Sequence, residues 1–215
     1  VTTLALSEAG ENVVARTFSR AMRRAGQALG SMSGNVIDVK TPLLRRCTAA
    51  TVLEMAGGPE TVIVAVYVGI KGSLQGHALL LFSPSDAHRL AQILLASLVG
   101  PHESPAEASS DPDDFDELEL SAVTEAGNIT ISAFLNELGM HLHEAVQPTP
   151  PQLVIEMAGA ILDAVLVDLM SEVDQVLAAK TIFTEGGREI DGTLLVLPRA
   201  SSLPVLLDAL GAIGI

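Results

Sequence analysis

The chain has 215 residues, 48% hydrophobic and 18% charged, enough length and apolar content for a folded core and too much for a disordered chain. Its 26 acidic and 12 basic residues give a net charge of −14; the basic footprint that a phosphate backbone requires is missing, so nucleic acid is excluded as the main partner. With no Trp, one Tyr, five Phe and one Cys, the core must be aliphatic, and neither a disulfide framework nor a multi-thiolate zinc site is available.

Residues 4–29 show helical spacing, with Leu4, Val14, Phe18, Ala21 and Met22 on one side and Gly30, Gly34 and Asn35 placed to stop the helix. Arg20, Arg23 and Arg24 cluster near its end, where they complement the helix dipole or attract an acidic partner surface. The β-like VIDV at 36–39 leads to a short helix expected from Pro42, since proline suits a first turn. TVIVAVYVGI at 61–70 is β-branched and apolar, a buried strand, and after the turn KGSLQG a second strand follows in HALLLF at 77–82. Ser83 and Pro84 open a helix over 83–98. Residues 99–117 change to Pro, Ser and acids, the composition of a solvated linker.

Beyond the linker the same order recurs: a helix containing EAGNITISAFLNELGMHL, a strand in LVIE, a short helix in MAGAILDAVLVDL, strands in QVLAAKTIF and DGTLLVLP, and a closing helix in SSLPVLLDALGA. Glu8–Gly10 repeats as Glu125–Gly127, an offset of 117, and Gly76 before the second strand repeats as Gly192, an offset of 116. A tandem duplication explains both. The expected fold is α+β, with pseudo-two-fold duplicated α-β-α-β-β-α units over about 1–98 and 118–215 forming a single domain. Its sheet should be largely antiparallel, with the two motif helices packed on it and each half covering the hairpin edge of the other. There is neither a basic-then-apolar leader nor an apolar run of about 18 residues, so a cytoplasmic protein without membrane insertion is expected.

Polar residues interrupt the first helix of the second repeat. At about 100° per residue, Ser121, Ser132 and Asn136 fall within about 40° of Glu125, and Asn128 lies about 60° to one side. Val123, Ile131, Phe134 and Leu138 form the apolar flank that should face the sheet. Polar residues on an amphipathic helix are ordinarily its solvated face, but Asn, Ser and Gly are poor helix formers, and Gly127 implies close approach by another backbone. A carboxylate and an amide one turn apart reach the same external point, which suits gripping a cation and orienting a water. No Ser-His-Asp or Cys-His set accompanies them for nucleophilic catalysis. His141 and His143 project about 200° apart, a poor arrangement for a shared metal, and Cys47 reads as a small buried apolar residue.

The stretch SAVTEAGNITISAFLN, Ser121 to Asn136, resembles the Ser-x-x-x-Glu-x-x-Asn pattern, with a further Asn downstream, of the CheC, CheX and FliY family of chemotaxis phosphatases. MAGAILD at 157–163 and GTLLVLP at 192–198 are similar to the CheC branch. The resemblance implies a hydrolase that acts on the phosphoaspartate of a CheY-type response regulator. Glu125 would engage a lysine of the regulator, and Asn128 would hold a water in line with the phosphoryl group. Ser121, Ser132 and Asn136 would support the helix surface. No cofactor of its own is implied: Mg²⁺ would belong to the response regulator, and the receptor deamidase CheD is the family's other partner.

Under the offset of 117, Glu8 matches Glu125, Glu11 takes the place of Asn128, and Ser19 that of Asn136. A carboxylate at that place repels a dianionic phosphoryl group and donates no hydrogen bond while ionised. The expectation is therefore a degenerate second site in a one-site version of a two-site scaffold. Two other readings stand beside the phosphatase: a non-catalytic or weakly catalytic adaptor that binds CheY or CheD, and a flagellar switch component of the FliY kind. The last would carry a further C-terminal switch domain where this chain ends with its second repeat.

Overall fold

The computed structural model describes residues 8–40, 44–96, 115–143, 145–168, 176–202 and 205. The first half contains α1 (Glu8–Ser33), β1 (Ile37–Lys40), β2 (Leu44–Cys47), α2 (Ala49–Met55), β3 (Val62–Gly72), β4 (Gly76–Phe82) and α3 (Pro84–Leu95). The second contains α4 (Glu117–Leu142), β5 (Val146–Pro148), β6 (Gln152–Met157), α5 (Ala158–Asp168), β7 (Val176–Glu185) and β8 (Arg188–Pro198), followed by a 3-10 turn at Ala200–Ser202. The closing helix expected over 201–212 lies mostly outside the described residues, as does most of the acidic stretch between the halves.

Two boundaries differ from expectation, each for a local reason. The helix α1 runs through Gly30 and ends at Gly34, whose φ is 71°. A Cβ on Gly26 or Gly30 would lie 2.5 Å from the Ile37 oxygen or 2.6 Å from the Asn35 oxygen. These glycines therefore let the chain fold back tightly against the helix rather than stop it. The short helix expected from Pro42 starts at Ala49, where the Thr48 side chain accepts a hydrogen bond from the Thr51 amide. The residues before it form β2, so each half has two short strands ahead of its short helix.

Among the described residues all eight strands belong to one sheet of order β1-β7-β8-β4-β3-β5, with β2 also paired to β7 and β6 to β3. Every pairing is antiparallel. The halves are interwoven: β1 and β2 of the first half edge the second half's hairpin, and β5 and β6 of the second edge the first half's hairpin. At the centre Leu79 pairs with Leu195. These two residues are 116 apart, so under the hairpin offset the pair maps onto itself and marks the pseudo-two-fold axis.

Helices cover both faces. On one, α1, α3 and α4 pack over Val64, Val66, Val68, Leu80, Ala179, Leu194 and Val196. On the other, α2 and α5 pack over the alternate positions Ile63, Ala65, Leu79, Leu81, Ala178 and Leu195. Because side chains alternate across a strand, a sheet covered on both sides requires continuous apolar strands. That is why β4 is buried at every position and why 61–70 carries no polar alternation. Among the described residues no helix is long and apolar enough to cross a membrane.

Candidate functional site

The polar stripe lies along the outer side of α4, and three fixtures hold that helix to the body. At its start Asp116 and Glu119 form a capping box, each side chain accepting from the backbone amide of the other. Phe115 stacks on the buried His88 of α3 with ring centroids 3.7 Å apart, and His88 Nδ1 lies 3.3 Å from Glu119 Oε1. Residues 115–117, read from sequence as the end of the linker, thus belong to this docked helix start.

In the middle, Gly127 rests on Val66 of β3, and a Cβ there would come within 2.5 Å of that side chain. The close approach is made by a valine side chain rather than by the backbone expected from the sequence. The substitution Gly127→Ala is expected to lower stability by about 1–2 kcal/mol, overpacking outweighing the helix propensity gained. A denaturant midpoint measures it, and Val66→Ala in the same chain should restore part of the loss.

Toward the end of α4, Phe134 stacks on Phe18 of α1 with centroids 4.9 Å apart. Glu137, 1% exposed, forms an ion pair with Arg24 of α1, Nη1 to Oε1 at 2.6 Å. Neither this pair nor the contact of His88 with Phe115 is marked in the sequence, apart from the carboxylate three residues after Phe134, on the apolar side of the helix.

The outward surface is as the spacing predicts. Ser121, Glu125 and Asn136 are exposed, Asn128 and Ser132 half-buried, and Val123, Ile131, Phe134 and Leu138 buried. Three members of the stripe are joined. The Ser132 hydroxyl donates to Asn128 Oδ1 at 3.4 Å, and Asn128 Nδ2 donates to Glu125 Oε2 at 3.3 Å. These bonds use one N–H and one lone pair of the Asn128 amide and leave one of each without a partner among the described residues, with a carboxylate one turn away.

The second stripe requires a correction. The two long helices share their C-terminal anatomy at an offset of 109: Ser33 and Leu142 end them, Gly34 and His143 follow in the left-handed conformation, and Ile37 and Val146 begin the next strands. Burial repeats at the same interval. Residues 17, 18, 21, 22, 25, 26 and 29 are buried, and so are 126, 127, 130, 131, 134, 135 and 138. Glu8–Gly10 is therefore not the structural counterpart of Glu125–Gly127; the helices are related by 109 residues and the second strands of the hairpins by 116. Arg16 stands where Glu125 does, Ser19 where Asn128 does, and Arg23 and Gln27 in the places of Ser132 and Asn136. Glu8 and Glu11 lie about two turns earlier on α1, and their side chains fall outside the described residues.

No family model matches the chain. It is similar to the CheY-P phosphatase CheC of Bacillus subtilis, 22% identical over 190 residues, which cover 87% of each chain. Among solved structures it matches FliY of Thermotoga maritima with a TM-score of 0.71, 18% identity, and coverage of 95% of this chain and 97% of that one. It also matches the FliM middle domain of H. pylori with a TM-score of 0.60, 10% identity, and coverage of 95% and 99%. The interwoven antiparallel sheet is thus the fold that FliY and the FliM middle domain share. The chain is thus similar in sequence to CheC and shares its fold with FliY.

Proposed function

We propose that the chain is a cytoplasmic phosphatase of the phosphoaspartate on a CheY-type response regulator, acting through α4. The observation that carries this reading is the hydrogen-bonded run Ser132, Asn128 and Glu125 on an outward helix face of a CheC-type fold. Glu125 engages a cation on the regulator and fixes the helix across the phosphorylated pocket. The Asn128 amide, one N–H and one lone pair free, holds a water in line with phosphorus. The water oxygen bonds to phosphorus, the bond from phosphorus to the aspartyl oxygen breaks to leave a free carboxylate, and both water protons leave with inorganic phosphate as dihydrogen phosphate. Such a reaction asks for positioning and charge stabilisation rather than a protein nucleophile, which is what a carboxylate, an amide and a hydroxyl supply. Ser132 orients the amide, while Ser121 and Asn136 extend the docking surface. Mg²⁺ is assigned to the regulator's own acidic pocket, and this chain needs no cofactor.

On α1 a guanidinium and a short hydroxyl replace the carboxylate and the amide, so that face does not repeat the reaction. The likeness to the FliM middle domain favours a second reading, an adaptor that binds the regulator, or the deamidase CheD, without turnover. The deciding measurement is phosphate loss from a phosphorylated CheY-type regulator with Mg²⁺, with and without this chain. Faster loss than in buffer is the expected result. Loss at the buffer rate overturns the phosphatase reading, and binding of the regulator at that unchanged rate establishes the adaptor.

A further inference from the structure

The charge on the outer face of α1 is opposite to that of the rest of the molecule. The chain has nine arginines against three lysines, and four of the arginines lie between residues 16 and 24. Arg24 is taken by Glu137. Arg16, Arg20 and Arg23 are exposed, and among the described side chains, which do not include those of Glu8 and Glu11, no carboxylate lies within ion-pair distance of them. At about 100° per residue they share a band about 60° wide with Gln27, and Ser19 borders it. The helix dipole does not account for them, because α1 continues to Ser33 and has no basic residue in its last turn. Nor does helix stability: Arg16 and Arg20, and Arg20 and Arg24, stand four apart, a spacing at which like charges weaken a helix.

We propose that this face is a second interaction surface, distinct from the α4 stripe, and that it takes an acidic protein partner presenting a cluster of carboxylates. By the pseudo-two-fold it occupies the position on α1 that the stripe occupies on α4, with the charge inverted at its centre. A partner that offers a cation to Glu125 meets Arg16 here and is repelled; one that offers carboxylates finds three guanidiniums able to accept them in bidentate pairs. The net charge of −14 opposes an acidic partner at long range, but at physiological salt that repulsion is screened beyond about 8 Å. Contact is then governed by the local patch, and electrostatic complementarity selects the partner. The inference holds whether or not α4 hydrolyses anything.

The test is amide-shift mapping by NMR on the intact chain, titrated with a short synthetic peptide of glutamate and alanine and, separately, with inorganic phosphate. The peptide should move the amides of Arg16, Ser19, Arg20, Arg23 and Gln27. The triple variant Arg16→Glu/Arg20→Glu/Arg23→Glu should weaken that binding by at least about tenfold. The control Lys40→Glu/Lys71→Glu/Arg188→Glu makes the same charge change at exposed sites elsewhere and should leave binding close to wild type. Shifts spread over all basic residues, equal losses in the two triple variants, or displacement of the peptide by phosphate at matched concentration would each overturn the proposal. Should the α1 variant fail to fold, the wild-type shift map alone decides.

Discussion

Replacing Asn128 by alanine is expected to reduce hydrolysis of a phosphorylated CheY-type regulator by about a hundredfold, the usual cost of deleting one preorganised polar group at a reacting centre. The loss should fall on the rate at saturating regulator, since the alanine keeps the helix and leaves Glu125 to dock. Asn128→Asp is expected to be at least as damaging despite its shape. It exchanges the N–H donors for negative charge beside a phosphoryl group that is already anionic. Glu125→Gln should behave differently, weakening affinity for the regulator more than turnover once bound. Phosphate release measured across regulator concentrations separates the two effects. Full activity in Asn128→Ala would remove this residue from the chemistry even if the wild-type chain proved to be a phosphatase.

Removing the Arg24 side chain should have the largest effect on stability. Glu137 is 1% exposed, and the Arg24 guanidinium 2.6 Å away is the ion-pair partner that makes its burial tolerable. Arg24→Ala strands the carboxylate under α1, and breaking a buried pair from one side costs about 3–5 kcal/mol. Because Arg24 is 54% exposed on its own side, water can reach part of the site, which places the expected loss near the lower end of that range. The double change Arg24→Met/Glu137→Leu should recover most of it, because the carboxylate then disappears along with its partner. Urea unfolding of the wild type, the single and the double variant provides the comparison. Equal midpoints for Arg24→Ala and wild type would show that the pair contributes nothing.

Much of the α4 surface was legible because it is local. One turn separates Glu125 from Asn128, and the 3.6-residue period assigns Val123, Ile131, Phe134 and Leu138 to the other side without knowledge of the rest of the molecule. The duplication and the antiparallel sheet were legible for the same reason, each half repeating its order of elements. What depends on two distant segments was not. The register between α1 and α4 looked fixed by two short matches, Glu8–Gly10 with Glu125–Gly127 and Gly76 with Gly192, whose offsets differ by only one residue. That near agreement is a coincidence, because the connections between helix and hairpin differ in length between the halves, and only the helix ends and the burial pattern reveal the 109-residue relation. Gly30 is ambiguous in sequence because glycine allows both termination and close approach, and Asn35 decides between them by folding back. The pairing of Arg24 with Glu137 and the stacking of Phe115 on His88 arise where helices meet, which no single stretch of sequence displays.

The exchange of edge strands has a consequence for the order in which the molecule can be completed. As the chain leaves the ribosome, β3 and β4 emerge with neither outer neighbour, because β4 waits for β8 and the far side of β3 for β5 and β6. Ile37 reaches its partner Glu185 only after 148 further residues have been made. Closure across such sequence distances is slow, and through that interval an apolar hairpin stands with both edges open, the condition under which strands pair with the wrong chain.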